Sequence, residues 1–368
     1  MLHPDWRSLR RLLVMRLDNI GDMVMLTPAL RALRQALPEV DLTLLASPAG
    51  HQLAPLLPWV NQVMPLRSLW QDASGALAFD PEREQELIKK LRQDRFDATL
   101  IFTSFSQSPY PPAYVAYLAG IPLRLGQSKE FGGRVLSDWV KPPPDDSHQV
   151  DRNLHLLQAI GIAPLGRHLE LAIPAVIQTA ADRCLHQAGV SSHQPFILLA
   201  PGASCAARCY DPERYREVAR LLATHTNLPI VVVGSEREGE LVAPILALQQ
   251  EGYPIASLVG QTSVPELAAV IRRASLVIGN NSGPMHLADA FRRPLVILFS
   301  GTDRVSQWRP RNAPTILLQR SVSCSPCYGF RCPYNLECLD IAPAEVVQGC
   351  LDLLQTTLGA RPAVQLTI

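Results

Sequence analysis

Residues 276–299 read LVIGNNSGPMHLADAFRRPLVILF, and the fold follows from this stretch. Leu276-Val277-Ile278-Gly279 is a short apolar run of the kind a parallel sheet buries on both faces. Asn280-Asn281-Ser282-Gly283-Pro284 is a dense turn signal, with N-cap residue types beside a proline suited to a first helical turn. A helix is expected over 285–291, and Pro294 opens a second apolar run, 295–299. Strand, tight turn, short helix, strand is a βαβ unit. Its turn falls at the carboxyl end of the first strand, where open α/β sheets bind ligands. Small residues there let backbone N–H groups and a helix N-terminus approach a phosphate or sugar hydroxyls. A plain connecting loop that binds nothing accounts for the same residues equally well.

The rest of the chain extends this rhythm. At 368 residues it has the length of two domains of roughly 150 residues each. A hydrophobic share of 47% supplies two cores and excludes a disordered chain. A net charge of +1, from 34 basic and 33 acidic residues, argues against a dedicated nucleic-acid binder. The only apolar run near the N-terminus is residues 12–15, too short for a signal-peptide core, and no window approaches a membrane span. The expectation is a soluble cytoplasmic protein.

Residues 12–15 form the first strand candidate and run into Arg16-Leu17-Asp18-Asn19-Ile20-Gly21-Asp22. A helix follows with Leu26, Leu30, Leu33 and Leu37 on one face, Pro28 either bending it or marking its regular start. Residues 42–45 make a second strand, 82–93 a polar amphipathic helix and 98–102 a further strand. A helix carrying Leu154, Leu157 and Ile160 follows the proline-rich stretch 141–147, and a domain boundary is placed near residue 172. Beyond it, strands are expected at 196–200, 230–233, 257–259, 276–279, 295–299 and 315–318. Helices are expected at 212–224, 236–249 and 264–274. A last helix at 344–354 could pack back on the first domain. This alternation implies two Rossmann-like α/β domains, 1–172 and 173–368, facing each other across a cleft.

Four stretches carry candidate chemistry. Gly21-Asp22 follows the first strand, and a carboxylate there suits a general base, although an acid favoured by the helix dipole fits it at least as well. Pro201-Gly202-Ala203-Ser204, with Arg208 after it, suits a diphosphate cradle or an ordinary turn; neither a P-loop nor GxGxxG occurs. Glu238, after the strand at 230–233, can accept from ribose hydroxyls or simply start a helix. His286 can bond a phosphate or orient its own turn. Cys324, Cys327, Cys332 and Cys338 form the sharpest local pattern. Zinc, reduced thiols and a reversible disulfide all remain open for it.

Together these segments resemble glycosyltransferase family 9, the ADP-heptose:lipopolysaccharide heptosyltransferases. The resemblance runs over about 12–354 and is carried by RLDNIGDMVMLTPALRALRQALP, LLAPGAS with Arg208 and DPERY, VVVGSEREGE, and LVGQTSVPELAAVIRRASLVIGNNSGPMHLADAFRRPLVILFSGTD. It implies the GT-B fold, an acceptor held mainly by the first domain and a nucleotide sugar held mainly by the second. It also implies inversion at the anomeric carbon, with no metal or other cofactor in the transfer step. It gives Asp22 the role of general base towards the acceptor hydroxyl. Ser204 and Arg208 fall to the donor diphosphate and Glu238 to the nucleoside. Asn281, Ser282, Gly283, Pro284, Met285 and His286 fall to the loop around the diphosphate and sugar.

The implied partners are ADP-heptose and a lipopolysaccharide-core or similar glycan or glycolipid acceptor, with no nucleic acid. A lipid-linked acceptor would bring the first domain to the cytoplasmic face of the inner membrane. Arg7, Arg10, Arg11, Arg31 and Arg34 are candidate contacts there, against a merely solvated surface. Two positions depart from the family pattern. Asn281 stands where heptose-transferring members usually carry Asp, and Arg208-Cys209-Tyr210 stands where Lys or Arg followed by Arg-Trp is commoner. An amide keeps the hydrogen bonds of a carboxylate site but not its charge. A nucleotide-sugar 2-epimerase on the same fold and a non-catalytic nucleotide-sugar or glycan-binding relative are the competing readings.

Overall fold

The computed structural model describes residues 3–72 and 75–358. The chain divides into two units, Met1–Ala172 and Ile173–Ile368, each built on one sheet. The first sheet contains β1 (Arg11–Arg16), β2 (Asp41–Ala46), β3 (Gln62–Pro65), β4 (Ala98–Ile101), β5 (Leu123–Gln127) and β6 (Asp138–Val140). Its order is β3-β2-β1-β4-β5-β6, and every pairing is parallel. The second contains β7 (Ile197–Ala200), β8 (Ile230–Val232), β9 (Ile255–Ser257), β10 (Leu276–Asn280), β11 (Leu295–Leu298) and β12 (Thr315–Leu318). Its order is β12-β11-β10-β7-β8-β9, again parallel throughout.

Counted from its own first strand, each sheet has the doubly wound order of a dinucleotide-binding domain, with the first strand beside the fourth. The α/β fold with two Rossmann-like units, expected of GT-B, is the one found. Each unit therefore has a switch point, β1 beside β4 and β7 beside β10, where the strand order reverses and a crevice opens at the carboxyl ends. The stretch at 276–299 supplies one side of the second. Gly279 is needed there: a Cβ would lie 2.8 Å from the Ala200 carbonyl oxygen of β7.

The central strands are fully buried because helices cover both faces, which is why Leu12, Leu13, Val14, Ile197, Leu198 and Leu199 read as unbroken apolar runs. Strands β3, β5 and β6 were not expected. β3 and β6 are short edge strands with partly exposed residues, and β5 is interrupted by Arg124, so none of them shows such a run. β9 begins two residues before its expected start.

The helix Ile20–Ala36 runs through Pro28 without stopping. Proline has no N–H to offer the Val24 carbonyl, and the Thr27 hydroxyl donates to it at 2.7 Å instead. The helix expected at 236–249 begins as a 3-10 turn, Glu236–Glu238, before Gly239–Ala247. The final helix, Pro343–Leu358, puts Val346, Val347, Cys350, Leu351 and Leu354 into the core of the second unit, among Tyr210, Tyr215 and Val218.

Candidate active site

In the first unit, strand β1 ends on Arg16, whose side chain is fully buried. A guanidinium at the end of an apolar strand needs carboxylates, and two lie beside it. Its NH2 is 2.6 Å from Asp22 Oδ1, and its Nε is 2.8 Å from Asp18 Oδ2, a close ion pair off the hydrogen-bond line. The same NH2 donates to Ser104 Oγ at 2.8 Å, and Ser104 Oγ in turn donates to Asp22 Oδ1 at 3.1 Å. Asp22 Oδ2 accepts the Asn19 backbone N–H at 3.2 Å. Asp22 is therefore a helix-start acid, one of the two readings weighed for it from sequence, and also one corner of a polar cluster at the β1/β4 switch point.

Asp18, not singled out from sequence, is nearly buried and accepts from Gln107 Nε2. Burial pushes its pKa up to about 6, against the attraction of Arg16 and with the repulsion of Asp22. The signal for it was present as Arg-x-Asp closing the first strand. Arg152 lies further along this edge, buried, its Nε 3.3 Å and NH2 3.4 Å from the carbonyl and hydroxyl oxygens of Thr103. It sits over the Phe105 ring at 5.2 Å. Burial, reinforced by the charge of Arg16, lowers its pKa to about 10.

In the second unit the β7/β10 switch point gathers Ser204, Arg208 and the loop 280–283. Arg208 ends a 3-10 turn, Ala206–Arg208. Its NH2 is 2.6 Å from Asp303 Oδ2, its Nε donates to Thr302 Oγ1 at 3.1 Å and its NH1 to Ser204 Oγ at 3.4 Å. Thr302 and Asp303 follow β11 and were not among the expected site residues. They occupy the strand-end position that made the other stretches candidates, one strand further over.

Asn280 is spent on structure. Its Oδ1 accepts from Tyr210 N at 3.2 Å and the Tyr215 hydroxyl at 3.0 Å, and its Nδ2 donates to Pro201 O at 2.6 Å. Asn281 turns inward: Oδ1 accepts from Ser300 N and Ser300 Oγ, both at 3.3 Å, and Nδ2 reaches Asp303 Oδ2 at 3.4 Å. Ser282 stands at the N-cap position of the helix Gly283–Ala290, its hydroxyl donating back to Asn280 O at 3.4 Å, with Pro284 in the helix's first turn. Met285 and His286 are buried, the His286 ring lying edge-on to Trp308 at 6.4 Å, so Ser282, Gly283 and Pro284 form the accessible part of the loop. Glu238 lies across the end of β7. A Cβ on Gly202 would fall 1.6 Å from Glu238 Oε1, while Oε2 accepts from Ser235 N at 2.6 Å and Ser235 Oγ at 2.9 Å.

All eight cysteines are free thiols, and among the described residues no group of three or more His, Cys, Asp or Glu side chains is gathered to hold a metal. The cysteine loop is nonetheless tied to the second switch point. Cys327 N donates to Gly301 O at 3.0 Å, Tyr328 N to Thr302 O at 2.9 Å, and Ala207 N to Phe330 O at 3.1 Å. Of the arginines considered for a membrane surface, Arg31 pairs with Glu170 at 2.5 Å, and Arg34 donates to the Trp59, Pro38 and Val40 carbonyls, each at 2.9 Å. Among the described residues no helix is long and apolar enough to cross a membrane.

The sequence profile of glycosyltransferase family 9 (heptosyltransferase) matches residues 85–336. Lipopolysaccharide heptosyltransferase 3 of Escherichia coli K12 is 28% identical over 297 residues, which cover 79% of this chain and 82% of that protein. The solved structure of E. coli ADP-heptose lps heptosyltransferase II superposes with a TM-score of 0.75 at 23% identity, over 94% of this chain and 99% of the other. A family 9 glycosyl transferase from Veillonella parvula DSM 2008 superposes with a TM-score of 0.77 at 19% identity, over 94% and 97%.

Proposed function

Since the chain belongs to glycosyltransferase family 9 and is a glycosyltransferase, we propose that it moves a heptosyl group from ADP-heptose onto a lipopolysaccharide-core glycan, inverting the anomeric carbon without a metal. The observation that carries this reading is the pairing of chemistry with topology. A carboxylate fixed by Arg16 and Ser104 lies at the switch point of the first sheet. A cation, a serine and a helix N-terminus lie at that of the second.

Asp22 takes the proton of the acceptor hydroxyl as that oxygen attacks the anomeric carbon, and the bond to the ADP oxygen breaks on the opposite face. The departing diphosphate gains negative charge, which Arg208, Ser204 and the backbone N–H groups around Ser282 and Gly283 offset. Glu238 accepts the ribose hydroxyls. No side chain needs to protonate the leaving group, because a diphosphate stabilised in this way departs as an anion.

The test is incubation of the purified protein with a panel of nucleotide sugars and a heptose-acceptor core oligosaccharide, with and without EDTA, following nucleoside diphosphate release and the mass of the product. Acceptor-dependent release of ADP from ADP-heptose, unaffected by EDTA, supports the reading. Preference for another nucleotide sugar removes heptose from it, and loss of turnover in EDTA removes metal independence.

A further inference from the structure

We propose that Asp303, rather than Asn281, is the residue that reads the hydroxyls of the donor sugar. The inference rests on the donor site proposed above. Asn281, Ser300, Thr302 and Asp303 form a closed ring of polar side-chain contacts at the carboxyl ends of β10 and β11. Asn281 Oδ1 accepts from Ser300 Oγ at 3.3 Å, Ser300 Oγ and Thr302 Oγ1 are 2.9 Å apart, Thr302 Oγ1 donates to Asp303 Oδ2 at 2.6 Å, and Asn281 Nδ2 closes on the same oxygen at 3.4 Å. Asn281, 5% exposed, commits its acceptor oxygen to this ring.

Asp303 differs. Its Oδ2 serves Arg208, Thr302 and Asn281, whereas its Oδ1 takes part in none of these bonds, and the side chain keeps 12% of its surface open. A carboxylate beside the cation that is to receive a diphosphate repels the ligand, so its presence there calls for a compensating contact. A carboxylate oxygen is an acceptor only, and the hydroxyls of a sugar next to the diphosphate are the donors that match it. The ring also explains the amide at 281. An aspartate there would bring a second carboxylate against Asp303. With an amide at 281, the carboxylate paired with Arg208 is that of Asp303, at the end of β11.

The experiment is calorimetric titration of the full chain with ADP and with ADP-heptose, for the native protein, Asp303→Asn and Asn281→Asp. ADP lacks the sugar, so it reports the diphosphate site alone and also shows that each variant is folded. The native protein is expected to bind both, with a preference for ADP-heptose. Asp303→Asn should keep ADP affinity within about threefold and lose about tenfold or more of that preference, as removal of a charged hydrogen-bond acceptor requires. Asn281→Asp should weaken both ligands through repulsion from Asp303. Equal losses for ADP and ADP-heptose in Asp303→Asn would overturn the proposal, leaving Asp303 as a support for Arg208 only, and an unchanged preference would overturn it outright. Absence of ADP binding by the native protein would remove the donor site itself, and this inference with it. ADP binding without any preference for the sugar nucleotide would leave the donor site standing and refute the inference alone.

Discussion

Asp22 and Asp18, four residues apart in sequence, share one buried guanidinium: Arg16 lies 2.6 Å from the first and 2.8 Å from the second. Removing the cation would leave two carboxylates facing each other out of water. Arg16→Met is therefore expected to destabilise the protein by about 3–5 kcal/mol. For a unit of this size that corresponds to a fall in melting temperature of roughly 10 °C, measurable by calorimetry. An unchanged transition would mean that the cluster is hydrated and the ion pairs are dispensable.

The raised pKa of Asp18 sets a pH dependence of unusual sign for an acid. Its folded value, about 6, lies above its ordinary value of 3.8, so between these pH values the folded state binds the extra proton. The contribution of Asp18 is thus most favourable below about pH 4 and is lost as pH rises through 6. Asp18→Asn, an amide of the same shape, should become more stable relative to the native protein as pH is raised from 4.5 to 7.5. Urea unfolding at the two pH values measures this. A relative stability that falls over that range would contradict the burial argument.

Glu238 occupies the space above Gly202, and the two positions are coupled through it. In Gly202→Ala the new methyl group displaces only the end of a flexible side chain. Stability should change by less than about 1 kcal/mol, while the carboxylate is pushed off its place and nucleotide affinity falls about tenfold. Fluorescence titration with ADP beside a melting curve separates the two effects.

At Gly279 the obstacle is backbone. A Cβ 2.8 Å from the Ala200 carbonyl oxygen forces β7 and β10 apart, and Gly279→Ala should cost about 1–3 kcal/mol and weaken ADP binding as well. Unchanged stability would show that the strands can separate at no cost.

Arg208 holds its place through Asp303, Thr302 and Ser204. Arg208→Ala should weaken ADP binding by about tenfold to a hundredfold and flatten its salt dependence, since the lost contact is between opposite charges. Titrations at 50 and 500 mM salt check both parts.

The central strands were legible in sequence because burial on both faces demands continuous apolar runs, as at 12–15 and 276–279. The edge strands β3 and β6 were not, since half-exposed residues such as Gln62 and Trp139 carry no such demand. The switch-point positions of Asp22, Ser204, Arg208 and the loop 280–284 followed from their places just after strands. Arg16 was passed over because an arginine at a strand end looks like a surface charge. Only the fold brings in Ser104, 88 residues away, to complete its surroundings. Asp303 escaped for a related reason: its partner Arg208 lies 95 positions earlier in the sequence, and no local spacing encodes the pair.

The most direct test of the proposed chemistry is the turnover of Asp22→Asn with ADP-heptose and a core-oligosaccharide acceptor, beside its affinity for ADP. Asparagine keeps the shape and the helix-start hydrogen bond but cannot take a proton. The expected result is a fall in kcat of about 10²–10⁴ with ADP affinity unchanged. A variant that keeps kcat within about tenfold of the native enzyme would show that another group, or none, removes the acceptor's proton, and Asp22 would return to being a helix-start acid.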